Sequence, residues 1–227
     1  NKEFTYTGFD LFEEATEELD HIELNSKRHN TLDAVRKRLS EFSEKMKEKG
    51  KTFTFDLFKG DSKVTLKKEK KNVAKATFAY IGGGHSEETV RSDHYYLKHV
   101  PVIVFDDYFT KDSEGGILGD EYLGTNRLFE ELKGRKVVLP SSDRVKGGGH
   151  THLAVLIQDK TLPPLPANLL RVPIVVRPRD CMPKDDIINN VNQNVELIKN
   201  WGIARSCRPH DEHAIIVSAG PSLNFKK

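Results

Sequence analysis

The chain has 227 residues, of which 37% are hydrophobic and 31% are charged, as expected of a folded domain rather than a disordered chain. Its 36 Lys and Arg residues nearly balance its 34 Asp and Glu residues, and this net charge of +2 argues against charge-driven nucleic-acid binding. No apolar run reaches the ~20 residues of a membrane span, and the first residues lack the pattern of a signal peptide. We therefore expect a cytoplasmic protein whose partners are neither nucleic acids nor membranes.

Strand patterns alternate with helix patterns along the first half of the chain, which is typical of a parallel sheet covered by helices. The predicted elements are a strand over 4–9, a helix over 31–50, a strand over 52–58, a helix over 64–71, a strand over 76–81 and a helix over 87–98. Thr31 or Asn30 would cap the first helix, Gly50 would end it, and Ser86 would cap the last.

The next segment predicts a strand buried on both faces, because Val102-Ile103-Val104-Phe105 is a continuous apolar run. A glycine-rich loop over 115–124 and a helix over 126–132 follow. The strands predicted over 136–139 and 152–157 are so close in sequence that they should form an antiparallel hairpin. We therefore expect a sheet that is mostly parallel, with an antiparallel hairpin at its end.

The pattern changes after Leu162, where five prolines between Pro163 and Pro178 exclude a helix or a central strand. A helix is predicted over 185–201 and a strand over 214–217. We place a domain boundary here, with one domain over 1–160. Residues 161–227 would then hold a proline-rich linker, the helix and the start of a second α/β unit.

Polar residues follow several predicted strands, at the edge where open parallel sheets bind ligands. Asp10 could accept hydrogen bonds from ribose hydroxyls, or it could serve the turn in which it lies. Asp61 could accept a bond from an adenine amino group, or it could cap the helix that follows. Both readings stay open from these residues alone.

Asp106 and Asp107 follow the strand predicted to be most buried. Two adjacent carboxylates repel each other there unless a cation compensates, and such oxygen ligands suit Mg²⁺. The alternative is that one is solvated while the other caps a turn.

Gly82-Gly83-Gly84 would let a ligand approach the backbone, or would only form a tight turn. His85, next in the chain, is a candidate general base, with a helix-start histidine as the alternative. His150 and His152 could share a metal, although residues of an edge strand are the expected reading.

Taken together, residues 4–157 resemble the class I S-adenosylmethionine-dependent methyltransferases, in particular the relatives of macrocin O-methyltransferase. The resemblance rests on the order of five features: Gly8-Phe9-Asp10-Leu11-Phe12, Lys59-Gly60-Asp61-Ser62, the strand before Gly83-x-His85-Ser86, Val104-Phe105-Asp106-Asp107-Tyr108, and the predicted hairpin. It implies a Rossmann-like methyltransferase sandwich.

The resemblance also implies roles for single residues. Asp10 would hold the ribose of S-adenosylmethionine, Asp61 and Ser62 would flank its adenine, and Gly83 would lie close to it. Asp106 and Asp107 would bind a divalent metal such as Mg²⁺, which orients the acceptor hydroxyl. His85 and Asp107 would be the catalytic residues. The activity implied is O-methylation of a small or sugar-like acceptor.

Two departures from the family pattern support a different function. The family's first strand and glycine-rich loop are missing before Asn1, so the sheet should lack its central strand, and the exposed edges favour a homodimer. The family's Asp-Gly-Asp is replaced by Gly82-Gly83-Gly84. A degenerate, non-catalytic domain that scaffolds a C-terminal enzyme is therefore the alternative, and a domain that binds a nucleoside diphosphate sugar is a third hypothesis.

The C-terminal residues, from Ala214 to Leu223, are similar to the start of the domain shared by hydroxymethylpterin pyrophosphokinase and motility-associated glycosyltransferase-like proteins. This similarity implies a longer natural protein, in which a glycan- or nucleotide-handling enzyme follows the methyltransferase-like domain.

Overall fold

The computed structural model describes residues 3–23, 29–110, 124–139, 150–162 and 212–218. Within these ranges the chain forms helices and a mixed β-sheet, which confirms the predicted α/β class. None of the helices in the same ranges combines the length and the apolar character that crossing a membrane requires. The proline-rich linker, the helix predicted over 185–201 and all but the last residue of the loop predicted over 115–124 lie outside the described residues, and that last residue, Gly124, begins a helix.

Seven strands and six α-helices are described. The strands are β1 (Glu3–Asp10), β2 (Thr52–Lys59), β3 (Phe78–Gly82), β4 (Val102–Thr110), β5 (Arg135–Val138), β6 (His150–Ile157) and β7 (Glu212–Ser218). The helices are α1 (Glu17–Ile22), α2 (Leu32–Glu48), α3 (Ser62–Lys68), α4 (Lys70–Val73), α5 (Glu87–Leu97) and α6 (Gly124–Glu131), and a single 3₁₀ turn covers Phe12–Glu14.

The strands lie side by side in the order β2-β1-β7-β3-β4-β6-β5. Pairing is parallel from β2 through β4, whereas β6 runs antiparallel to both β4 and β5. The predicted antiparallel hairpin is therefore confirmed. His150 and His152 pair with β4 in the first part of β6, whereas the pairing of β6 with β5 covers only Ala154–Ile157, so the expectation that both histidines belong to an edge strand stays a prediction.

Strand β7 lies in the middle of this sheet, between β1 and β3. Its Ala214 is in register with Tyr6 on one side and with Phe78 on the other. The expectation that this strand starts a second α/β unit is wrong, and so is the expectation that the sheet lacks a central strand. A short apolar strand can join any sheet with an open edge, so its own sequence did not reveal where it pairs. Because β7 fills the position between β1 and β3, those two strands have no unpaired edge there that would favour a homodimer. The homodimer stays a prediction.

The two faces of the sheet pack into separate cores, because successive strand residues point to opposite faces. In β4, Ile103 and Phe105 enter the larger core, whereas Val102 faces the other side. The helices α3 to α6 contribute to the larger core the buried residues Leu66, Val73, Val90, Leu97, Leu128 and Phe129. On the opposite face, α2 covers β1 and β2 through Val35 and Leu39. Each such buried side chain contributes ~1.5–3 kcal/mol relative to exposure.

The predicted helix starts are confirmed at two places. The Thr31 hydroxyl accepts a hydrogen bond from the Ala34 N–H, and the Ser86 hydroxyl accepts one from the Thr89 N–H. These bonds satisfy backbone donors that have no partner within the first turn of a helix. Ser86 thereby fixes where α5 begins, at the edge of the sheet where β3 ends.

Strand β4 continues past the point where the sequence pattern ends it. Asp106 and Asp107 lie inside the strand, at an irregularity between Phe105 and Tyr108 where the register with β6 shifts. Asp107 has a φ of 52°, in the left-handed region that a side chain with a Cβ adopts only under constraint. The prediction that both acids follow the end of the strand is wrong, because the bulge lets pairing with β6 resume beyond them.

The central place of β7 predicts a large effect of Ile216→Pro. Residue 216 pairs with Gly8 of β1 and with Tyr80 of β3, and proline removes a backbone donor from that ladder. We expect the free energy of unfolding in urea to fall by roughly 3 kcal/mol. Ile216→Val, which keeps the strand preference, is the matched control. A loss of less than about 0.5 kcal/mol for the proline variant would contradict the central placement.

Candidate functional site

A cleft opens where β1, β2 and β3 end at the same edge of the sheet. It has an empty volume of about 530 Å³, which includes its open mouth. Its lining residues are Phe9, Asp10, Leu11, Leu19, Glu23, Gly60, Asp61, Ser62, Lys63, Gly83, Gly84 and Thr89. Four predicted cofactor-binding residues, Asp10, Asp61, Ser62 and Gly83, are therefore brought together, from the ends of three different strands.

Asp10 ends β1, and its carboxylate serves the turn that follows. Oδ1 accepts a hydrogen bond from the Phe12 N–H at 2.5 Å, and Phe12 has a φ of 51° with its ring buried. Burial raises the pKa of Asp10 to about 7, although the Phe12 N–H and nearby His29 oppose this rise. The turn function of Asp10 is thus observed, and it holds the carboxyl at the cleft.

A backbone bond joins the ends of β1 and β2 beneath the cleft. The Gly60 N–H donates to the Asp10 carbonyl at 2.9 Å, and Gly60 has a φ of 127° that residues with a Cβ rarely adopt. Glycine at this position therefore allows the chain to turn directly from β2 into α3. The turn places Asp61 and Ser62 across the cleft from Asp10.

Asp61 is the N-cap of α3. Its Oδ1 accepts a hydrogen bond from the Lys63 N–H at 2.8 Å, and the Lys63 ammonium lies 4.0 Å from Oδ2. The capping interpretation of Asp61 is confirmed. The cap also orients the carboxylate toward the cleft, which its side chain lines.

A carboxylate that the sequence did not single out occupies the inner end of the cleft. Glu23 follows α1 and accepts hydrogen bonds from the Ser86 N–H at 2.9 Å, the Ser86 hydroxyl at 3.0 Å and the Thr89 hydroxyl at 2.5 Å. Because its partners lie 63 to 66 residues further along the chain, no local pattern could have revealed this role.

The side chains of His85 and Asp107, the two predicted catalytic residues, lie within hydrogen-bond distance of each other. His85 Nε2 lies 2.6 Å from Asp107 Oδ2, and the side chains are 20% and 24% exposed. The left-handed backbone at Asp107 turns its carboxylate toward His85. His85 directly follows Gly83 and Gly84, which line the cleft. A histidine oriented by a carboxylate is suited to accept a proton at near-neutral pH.

Asp106 has different partners from Asp107. The Tyr80 hydroxyl donates a hydrogen bond to Asp106 Oδ2. The Asp107 N–H donates a second hydrogen bond to Asp106 Oδ1, at 2.9 Å. Burial and this acid together raise the pKa of Tyr80 well above its usual range, so the phenol keeps its proton.

The two acids predicted to bind a metal have protein partners in this structure. Asp106 accepts a hydrogen bond from Tyr80, and Asp107 lies against His85. Among the described residues, no group of three or more His, Cys, Asp or Glu side chains could hold a metal. His152, considered as a ligand with His150, uses both ring nitrogens for Thr110 and the Leu139 carbonyl. The metal stays a prediction, and no step below uses it.

A second carboxyl missed by the sequence lies behind the cleft wall. Asp93 of α5 is 0% exposed, and neither of its oxygens makes a well-formed hydrogen bond. Burial raises its pKa to about 7, while the neighbouring Ser62 hydroxyl offsets this only in part. The charges that face it are Asp61, Glu23 and Lys63. A buried acid of this kind costs stability whenever it ionises.

Asp93→Asn tests this cost. Between pH 4 and pH 7 the unfolded wild-type chain ionises Asp93 while the folded chain does not, so wild-type stability falls as the pH rises through this window. Because asparagine does not ionise, the variant does not lose stability in this way. Its stability relative to wild type should rise by roughly 3 kcal/mol from pH 4 to pH 7 and level off above about pH 8.

Urea unfolding across that pH range measures the difference, with Asp33→Asn on the exposed surface of α2 as the control. A difference for Asp93→Asn that does not change with pH would show that this carboxyl is not desolvated in solution.

Comparisons of this chain with protein-family models, with curated proteins and with solved structures found no match. The case for a function therefore rests on the residues and geometry of the cleft. What they establish is a carboxylate-lined cleft at the ends of three parallel strands, beside a histidine-aspartate pair.

Proposed function

We propose that the protein is an S-adenosylmethionine-dependent O-methyltransferase that acts on a small or sugar-like acceptor. One observation carries the proposal: Asp10, Asp61, Ser62 and Gly83, which the resemblance connects with the methyl donor, line a single cleft. Had these residues lain at opposite edges of the sheet, no common ligand could have reached them.

The sheet supports the same proposal. Its parallel strands and its antiparallel pair β5–β6 agree with the Rossmann-like methyltransferase sandwich that the resemblance implies. Strand β7 fills the central position that the family's first strand would take. In sequence, Ser218 is followed by Ala219-Gly220-Pro221-Ser222, a set of small residues like those that the family's glycine-rich loop requires after its first strand.

Each cleft residue has a task that suits its chemistry. The Asp10 carboxylate accepts hydrogen bonds from the two ribose hydroxyls, and Asp61 accepts from the adenine amino group. Gly83 leaves space for the donor next to the backbone. The donor supplies a sulfonium-bound methyl group. Three carboxylates, those of Asp10, Glu23 and Asp61, line the cleft against one cation, Lys63, and this excess of negative charge favours a cationic ligand.

His85 is the proposed general base. Asp107 holds its imidazole through Nε2 and stabilises the imidazolium that forms. His85 takes the acceptor's hydroxyl proton as the oxygen–methyl bond forms and the sulfur–methyl bond breaks. Positioning and charge compensation supply the remaining acceleration, as in other transfers between two bound reactants.

Donor binding tests the role of Asp10. Asp10→Asn removes the negative charge but keeps the shape of the side chain, so the affinity for S-adenosylhomocysteine should fall by roughly 10- to 100-fold. Wild-type affinity should also weaken as the pH drops from 8 to 6, because Asp10 takes up a proton near pH 7.

Isothermal titration measures both effects, with Asp33→Asn as the control. Asp61→Asn is the companion variant, because asparagine keeps the helix cap and removes only the charge. The absence of any heat with the wild-type chain at millimolar ligand would reject the donor.

Turnover tests the base. His85→Gln should lower methyl transfer to a panel of monosaccharide acceptors by roughly 100-fold or more, while the affinity for S-adenosylhomocysteine stays within about twofold. Asp107→Asn should give a smaller loss in kcat, because the imidazole remains but loses its orienting charge. Equal rates for wild type and His85→Gln would exclude the general base.

A non-catalytic binding domain is the second candidate. It is favoured by Gly82-Gly83-Gly84, which offers no carboxylate after β3, and by the bond from Tyr80 that engages Asp106. Tight donor binding by the wild-type chain, with no turnover on any acceptor of the panel, would favour this candidate over the enzyme.

A further inference from the structure

Helix α1 (Glu17–Ile22) lies at the cleft without being packed into either core. It contributes no buried side chain, and its two large apolar residues, Leu19 and Ile22, are 37% and 55% exposed. Apolar burial, which holds the other helices to the sheet, therefore contributes little to the position of α1.

Polar contacts hold this helix instead. Within it, Asp20 pairs with His29 at 2.7 Å. Directly after α1, the Glu23 carboxylate accepts three hydrogen bonds from Ser86 and Thr89, at the start of α5. The negative charge also lies at the positive end of the α5 dipole, where carboxylates are stabilised. We call these three hydrogen bonds the Glu23 clasp.

The clasp depends on a glycine. A Cβ placed at Gly84 would lie 2.4 Å from Glu23 Oε2 and 2.7 Å from Glu23 Cδ, far inside contact distance. A side chain at position 84 would therefore displace the Glu23 carboxylate from its hydrogen-bonding position. Substitution here disrupts the clasp without removing a single polar group.

The clasp also shapes the cleft. Leu19 of α1 and Glu23 both line it, together with Asp10 and Asp61. We propose that Glu23 is a positioning residue, whose clasp on the start of α5 fixes α1 as a wall of the cleft and so sets the affinity for the ligand. The ligand part of this inference rests on the proposed function, whereas the position of α1 does not.

Hydrogen exchange of the full chain without ligand tests the clasp directly. In Gly84→Ala and in Glu23→Ala, the amides of residues 17–23 should exchange roughly tenfold faster than in wild type. Amides of β3 and β4 should be unchanged, because the effect is local. Glu23→Gln, which keeps the carbonyl acceptor, should restore part of the protection, and Glu18→Ala on the exposed side of α1 is the matched control.

Titration with S-adenosylhomocysteine then tests the effect on the cleft. Affinity should fall roughly fivefold in Gly84→Ala and Glu23→Ala, partly recover in Glu23→Gln, and stay unchanged in Glu18→Ala. Wild-type exchange rates at residues 17–23 in both clasp variants, or faster exchange with unchanged affinity, would overturn the proposal. If the wild-type chain binds no S-adenosylhomocysteine, the proposed function fails, and the exchange rates alone decide whether the clasp holds α1.

Discussion

The parallel pairing of β7 between β1 and β3 is the constraint on which the rest of the molecule depends. It joins two halves of the sheet that would otherwise each end in an unpaired edge. Because β1 and β3 are held one strand apart, the loops after β1, β2 and β3 meet at one edge of the sheet. The cleft exists for that reason, and so does the proximity of Asp10, Asp61 and Gly83.

Carboxylates dominate the chemistry of this edge, and each is stabilised differently. Asp10 and Asp61 accept backbone N–H groups of the turns that carry them, and Glu23 occupies the start of α5. Asp107 is paired with His85, whereas Asp93 is buried without a well-formed hydrogen bond. This concentration of acids is costly without compensation, and a cationic ligand would provide it. A sulfonium donor would match that requirement, which is why we propose methyl transfer rather than the binding of a nucleoside diphosphate sugar.

Local patterns predicted much of the fold. The helix pattern over 31–50 predicted α2, the hydroxyls of Thr31 and Ser86 predicted two helix starts, and the closeness of β5 to β6 in sequence predicted an antiparallel hairpin. All of these depend on interactions within a few residues or across one short connection. The residues predicted to bind a cofactor lie close together for a related reason: parallel strands end at one edge of the sheet, so the residues at those ends become neighbours.

By itself, then, the sequence determined the class of fold, the helix caps and the acids that follow β1 and β2, since each is set by neighbouring residues or by strand direction. Only the tertiary structure decided the place of β7, the bulge that carries Asp106 and Asp107, the clasp of Glu23 and the burial of Asp93. These four features join residues far apart in the chain. Their partners are chosen by pairing and packing over long distances, and no local periodicity or motif encodes that choice.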